Sequence, residues 1–338
     1  MPKRQLVALG LAWLAAAAAA SADASRAVAF VRGAIGFDDA QIASVEAGKV
    51  MTRQLPAADN AEVAAFGAVR VAGDRAALLH QIAAQVGTRP KSGAVLEMGR
   101  FSRPPRLEDL AGLTLDESDL AAVRECRPGD CGIKLARSGM ERVQREVDGK
   151  AADASSRATQ VLKETLVDFT SAYMRGGTAE MATYVDKAKP LDATAEFGKL
   201  LTASPYLVEY APELHRYAEQ YPTASLTGAQ DYFYWCKDKY APKPTVSVFH
   251  VVIWSDPRRD FAVVASKRIY ASHYFRAGVE LLAMVDAAGG GVYLMDLYRA
   301  RIDPPTGMLA GTIMGKIRGG IEHAVGENLR AQASSPRG

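Results

Sequence analysis

"FAVVASKRIYASHYFRAGVELLAMVD", residues 261–286, is the stretch on which the fold turns. Its first part alternates as a strand over 261–275, with Ile269, Ala271, His273 and Phe275 on one face and Tyr270, Ser272 and Tyr274 on the other. "GVELLAMVD" (278–286) reads as the next strand. Outward from this pair, "DYFYWCKDKY" (231–240) and "TVSVFHVVIW" (245–254) precede it and "GVYLMDLYRARI" (291–302) follows. The connections are short turn sequences, "APKP", "SDPRRD" and "AAGGG". Sequential strands joined this tightly predict an antiparallel meander. A helix then closes the chain in "GMLAGTIMGKIRGGIEHAVGENLRAQ" (307–332), where Leu309, Ile313, Ile317, Ile321 and Val325 recur every four residues. Gly311, Gly315 and Gly319 each cost this helix up to about 1 kcal/mol of propensity, which predicts a close approach of its backbone to a sheet or ligand. "GTIMGK" is one residue short of a phosphate loop and lacks the Ser or Thr after its Lys.

Upstream, residues 25–102 read as an α+β opening. "FDDAQIASVEAG" (37–48) is a short helix, 49–55 and 62–71 are strands of a hairpin, and 92–101 is a third strand. Between them Asp74 caps a helix carrying Leu78, Ile82 and Val86 on one side, with His80 facing solvent. Residues 103–228 change to helical patterns, forming an insertion. Asp116 caps a helix in "LDESDLAAVREC" (115–126), and Leu162, Leu166, Phe169 and Tyr173 stripe a long one ending at Gly176-Gly177. "TAEMATYVD" (178–186), "ATAEFGKLLTAS" (193–204) and "PELHRYAEQYP" (212–222) read as shorter helices, His215 being a surface residue of the last. The closing sheet and helix occupy 229–331, and 332–338 reads as a disordered tail.

An apolar fraction of 49% and a charged fraction of 23% are those of a globular protein. Residues 1–22 have the layout of a secretory signal peptide: Lys3 and Arg4, an apolar run from Leu6 to Ala19, then Ala20-Ser21-Ala22. Export, to a periplasm or the exterior, follows from that reading. Cleavage would remove two positive charges, so the net charge falls from +3 to 3 − 2 = +1, and no basic block follows. Nucleic acid is therefore not an expected partner, and no transmembrane segment is expected after cleavage. In an oxidising compartment Cys126 and Cys131, bracketing the turn residues Pro128-Gly129, are expected to form a disulfide. Cys236 reads as a buried free thiol in an aromatic strand, and neither the cysteines nor the histidines have the spacing of a metal site.

The order helix, hairpin, helix, antiparallel meander and long C-terminal helix is similar to the START-like helix-grip (SRPBCC) superfamily of lipid-transfer domains, plant hypersensitivity proteins and polyketide cyclases. Two blocks carry the resemblance, "GKVMTRQL…EVAAFGAVRVAGDRAALLHQI" and "VFHVVIW…SKRIYASHYFRAGVELLAMVD…GVYLMDLYRARID…GTIMGKIRGGIEHAVGENL". It implies an α+β fold whose curved antiparallel sheet grips the last helix and encloses an apolar ligand cavity. It brings no shared catalytic motif and no cofactor, and the helical insertion departs from the family's pattern.

Two histidines lie in apolar strand patterns: His250 with Val246, Val248, Val252 and Trp254, and His273 with Ile269, Ala271 and Phe275. Each ring needs hydrogen-bond partners once buried, whether as a core residue, as an anchor for a ligand's polar end, or as a general base. Arg299 and Arg301 share a strand face with Tyr293, Met295 and Leu297, where they could clamp a carboxylate or phosphate. A solvated strand end, with Asp303 as a local ion partner, is the alternative; Lys267 and Arg268 read as solvated too. The leading expectation is an exported, non-enzymatic binding protein for a lipid or other apolar small molecule, with ligand residues His250, Trp254, His273, Phe275, Tyr293, Arg299 and Arg301. The rivals are a hydrolase or cyclase-like enzyme using His250 or His273 as base, and a cell-envelope scaffold displaying an apolar patch on 103–228.

Overall fold

The computed structural model describes residues 26–88, 93–239, 241–256 and 258–334; the expected leader and residues 335–338 lie outside them. The chain is α+β. Its strands are β1 (Met51–Gln54), β2 (Glu62–Val71), β3 (Val95–Arg100), β4 (Thr183–Tyr184), β5 (Leu191–Asp192), β6 (Gln230–Asp238), β7 (Thr245–Asp256), β8 (Phe261–Ala271), β9 (Phe275–Asp286) and β10 (Val292–Ile302). Eight of them form one antiparallel sheet in the order β1-β2-β10-β9-β8-β7-β6-β3, and β4 pairs with β5 separately. The run β6 to β10 is the meander that its short turns dictate. The hairpin β1–β2 joins it through a register running from Val292↔Val71 to Arg301↔Glu62, while β3 crosses to the opposite edge beside β6.

The decisive stretch departs from simple alternation twice. The β7–β8 register shifts between Val248 and Phe249, so Ile269 and Tyr270, adjacent in sequence, both pack into the same core. Then β8 stops at Ala271, because Ser272 closes the ladder: its N–H donates to the Val246 carbonyl at 2.8 Å and its Oγ accepts from the Val246 N–H at 2.9 Å. Tyr274 follows with φ 57°, and the expected single strand 261–275 becomes a strand, a bend holding His273, and the start of β9.

The helices are α1 (26–35), α2 (Asp39–Glu46), α3 (Arg75–Gln85), α4 (Glu117–Glu125), α5 (Arg137–Glu146), α6 (Ala154–Gly176), α7 (Ala193–Thr202), α8 (Pro205–Tyr210), α9 (Pro212–Gln220) and α10 (Ala310–Ser334). Asp38 and Asp74 cap α2 and α3, each carboxylate accepting a backbone N–H at 2.8 Å. Asp116 precedes α4 but makes no cap; its carboxylate pairs with Lys237 Nζ at 2.9 Å. "TAEMATYVD" is a 3₁₀ turn and β4 rather than a helix, and α8 was not anticipated. Both α8 and α9 begin at a proline, where a missing N–H costs nothing.

The sheet is covered on both faces. On one, Leu78 and Ile82 of α3 and Val325 and Leu329 of α10 pack with Ala65, Val264, Met284 and Leu294. On the other, α1, α2 and the helices of the insertion bring Phe37, Tyr173, Phe197 and Leu214 onto Phe66, Val248, Val263 and Met295. Cys126 and Cys131 are bridged, and Cys126 belongs to a small satellite core with Val123, Met140 and Leu162 of α4–α6. Cys236 is buried and outside any disulfide, as its aromatic strand implied. Among the described residues no helix is long and apolar enough to cross a membrane.

The C-terminal helix meets the sheet differently from its sequence pattern. Residues four apart advance 400°, so a strict every-fourth stripe drifts around the helix by about 40° per step. Leu309 and Ile313 are accordingly exposed, Ile317 and Ile321 half-buried, and Val325 buried, with Met314 and Leu329 completing the contact. A Cβ at Gly311, Gly315 or Gly319 would meet nothing within 4 Å. The glycine that permits close approach is on the strand: a Cβ on Gly67 would lie 2.6 Å from Leu329 Cδ1 and 2.9 Å from Val325 Cγ1.

Candidate functional site

Across the sheet from α10, between the central strands and α1, α8 and α9, lies a cavity of about 110 Å³. Its floor is made by alternate residues of neighbouring strands, Phe66, Val263, Leu281, Met295 and Leu297, which point to one face because strand side chains repeat every two residues. Its roof is Phe30 from α1, Tyr206, Leu207 and Tyr210 from α8, and Leu214 from α9. Phe30 is held by edge-on contacts to Phe66, Tyr206 and Tyr210, with ring centroids 5.8, 5.8 and 5.2 Å away. Among the described residues, Arg26 and Arg259 are the only charged ones of the lining. Arg26 is exposed and Arg259 half-buried, which marks the solvent side.

None of the seven residues expected from sequence lines this space. His250 sits deeper in the same layer, 3% exposed, stacked on Phe233 at 4.6 Å between centroids. Its Nε2 lies 2.7 Å from Asp231 Oδ1 and its Nδ1 3.3 Å from the Tyr173 hydroxyl. A carboxylate accepts only, so Nε2 carries the proton and Nδ1 accepts from Tyr173. Tyr217 also donates to Asp231, at 2.8 Å. Burial pushes the imidazole below its ordinary pKa despite Asp231 beside it. Burial works against Asp231 as well, but the hydrogen bond from His250 holds its carboxyl below the usual range. His273 belongs to another cluster: its Nε2 donates to Asp119 of α4 at 3.0 Å, both groups buried. Lys267 pairs with His250 across the ladder, and β8 ends before His273, so the two rings belong to separate clusters.

Trp254 donates its indole N–H to the Thr227 carbonyl at 3.1 Å. Phe275 packs against Arg268, whose guanidinium lies 3.8 Å from its ring centroid. The Tyr293 hydroxyl bonds Glu46, and burial followed by that carboxylate raises its pKa. Arg299 and Arg301 do share a face, but they are tied into a buried ion network: Arg299 to Glu62, and Arg301 to Glu196 at 2.6 Å and Asp59 at 2.7 Å. Asp303 is no local partner, reaching Lys134 at 2.8 Å and Arg276 at 3.0 Å.

Lys267 and Arg268 overturn the solvated reading. Arg268 is sandwiched between Phe249 and Phe275 and donates to Ser247. Lys267, 5% exposed, points into the helical layer, with Nζ 3.7 Å from the Phe197 centroid and 2.6 Å from the Thr178 hydroxyl. No described carboxylate forms an ion pair with it, and burial takes its pKa well below the usual lysine range. The bulge beside this strand, which no periodicity announces, changes the faces of the residues that follow. An apolar cavity was expected, but its place was not legible for a related reason: part of its roof comes from α8, whose six residues are too few to show a helical period. No family model matches the chain, and no curated protein matches it.

Proposed function

We propose that this chain is a non-enzymatic, exported binding protein of START-like kind that takes an apolar small molecule. The supporting observation is the cavity of about 110 Å³ with an almost wholly hydrocarbon and aromatic lining and a solvent side at Arg26 and Arg259. A dry engineered cavity of about 150 Å³ holds benzene, so this one suits a single ring or a short hydrocarbon tail rather than a whole lipid. It lies on the face away from α10, so ligand access runs past the helical insertion and α1 instead of along the C-terminal helix.

Two features weigh against the rivals. Neither histidine lines the cavity, which leaves a base without an adjoining substrate space, and the apolar surface of the insertion is small. Of the large apolar side chains exposed among the described residues, Leu96, Val208, Met308, Leu309 and Ile313, only Val208 belongs to 103–228. Ala283, half-buried in the cavity wall, supplies the test. Binding of small aromatic and alkyl compounds, followed by native mass spectrometry and calorimetry, is expected for the wild type. Ala283→Phe, which fills the space, is expected to lose it while keeping the same circular dichroism. A folded wild type that binds none of these compounds rules the proposal out.

A further inference from the structure

We infer that the occupant of the cavity is a neutral single-ring arene rather than an alkyl chain, an inference that rests on the cavity being the binding site proposed above. Five of the lining residues are aromatic, and four elements supply them: Phe30 of α1, Phe66 of β2, Tyr206 and Tyr210 of α8, and Phe261 of β8. Their contacts with other rings are edge-on. Phe30 meets Phe66, Tyr206 and Tyr210 at interplanar angles of 71°, 72° and 67°. Phe66 meets Phe37 at 73°, and Phe261 meets Trp254 at 68°. A wall ring offers a guest either a negative face or a positive edge. An arene complements both, whereas an alkyl group has no such quadrupole. Met295 adds a thioether to the floor, and sulfur makes a further favourable contact with an aromatic ring.

Nothing in the walls calls for a polar guest. Among the described residues, no lining side chain has a buried nitrogen or oxygen without a hydrogen-bond partner. The Tyr206 hydroxyl is engaged already, donating to Ser204 Oγ at 3.1 Å. A charged group carried inside would lose its water among hydrocarbon walls. Size points the same way. At about 110 Å³ the space is smaller than the engineered cavity of about 150 Å³ that takes benzene, so one ring fills it and no long tail follows.

The experiment titrates the full chain with benzene and with cyclopentane, rings of similar bulk, by calorimetry. Each affinity is referred to that compound's own water-to-alkane partition, so that the difference in hydration cancels and the wall contacts remain. Benzene is expected to exceed cyclopentane by about five-fold on that scale. Phe30→Leu and Phe261→Leu are each expected to cut the preference to about two-fold while cyclopentane still binds. Phe30 and Phe261 are both half-buried and lie in different elements, so one variant stays measurable should the other fail to fold. Equal partition-corrected affinities overturn the arene inference and leave the apolar-binding proposal standing. A preference that both variants keep unchanged overturns it as well, because the wall rings then do not cause it. Binding of neither compound overturns both.

Discussion

At the scale of single residues, the chemistry of this chain is concentrated in side chains whose pKa burial moves away from the ordinary value. Lys267 is the sharpest case, with one hydroxyl partner, Thr178, and two aromatic rings around it. Its pKa is lower in the folded chain than in the unfolded one, so between the two values the unfolded state binds the extra proton. Stability therefore rises with pH from the folded pKa up to about 10.5. Lys267→Met is expected to gain about 1–3 kcal/mol at pH 7 and to flatten the rise between pH 7 and pH 10. Urea titrations at both values measure it, and a loss of stability at pH 7 would count against an amine that burial leaves uncompensated. His250 obeys the same sign in another window. Its folded pKa is also depressed, so its contribution is fully present above about pH 6.5 and falls as the solution is acidified toward the folded value. Replacing it by Phe is expected to remove the part of the acid destabilisation that begins near pH 6.5, at a cost of about 1–3 kcal/mol at pH 7.5 because Asp231 and Tyr173 lose their partner. An unchanged profile between pH 5 and 7.5 would contradict the assignment.

Between elements, the contact of α10 with β2 depends on a missing side chain. Gly67→Ala places a methyl within 3 Å of both Leu329 Cδ1 and Val325 Cγ1, with Met51 O at 3.3 Å, so these side chains or the helix that carries them must shift. The expected loss is about 1–3 kcal/mol, and Leu329→Ala should recover part of it, giving a non-additive double-mutant cycle in urea melts. Additive losses would mean that the helix does not rest on Gly67. The exposed glycines of α10 cost helix propensity with no contact to justify it, and the structure offers no packing reason for them. The disulfide joins residues 5 apart, so its removal is expected to cost about 2 kcal/mol, concentrated in the satellite core of α4–α6. Hydrogen exchange under reducing conditions would show faster exchange there and little change in β7–β10; uniform loosening would contradict a separate small core.

For the whole molecule, the ion network around Arg301 ties three distant parts of the chain: β10, the start of β2 through Glu62, and α7 through Glu196. Removing one member of a buried network strands the others, so Arg301→Met is expected to cost about 3–5 kcal/mol, against about 1 kcal/mol or less for Arg32→Met in an exposed pair. Thermal unfolding of both variants checks the contrast. The same network explains why Arg299 and Arg301 do not clamp a ligand: Arg299 is paired with Glu62 of the neighbouring strand β2, and Arg301 holds α7 to the sheet through Glu196.

The antiparallel meander, the cap of α3, the buried Cys236 and the Cys126–Cys131 bridge were legible in sequence. They rest on local periodicity, turn residues and short spacing, and each is decided within about a dozen residues. The position of β3 at the far edge, the bulge beside Arg268, the bend that removes His273 from its strand, and the partners of His250 and Arg301 were settled only by tertiary structure. So was the cavity, displaced to the face opposite α10. Pattern tells which side chains must leave water; which face receives them, and which distant charge meets them there, is set by packing between segments far apart in the chain.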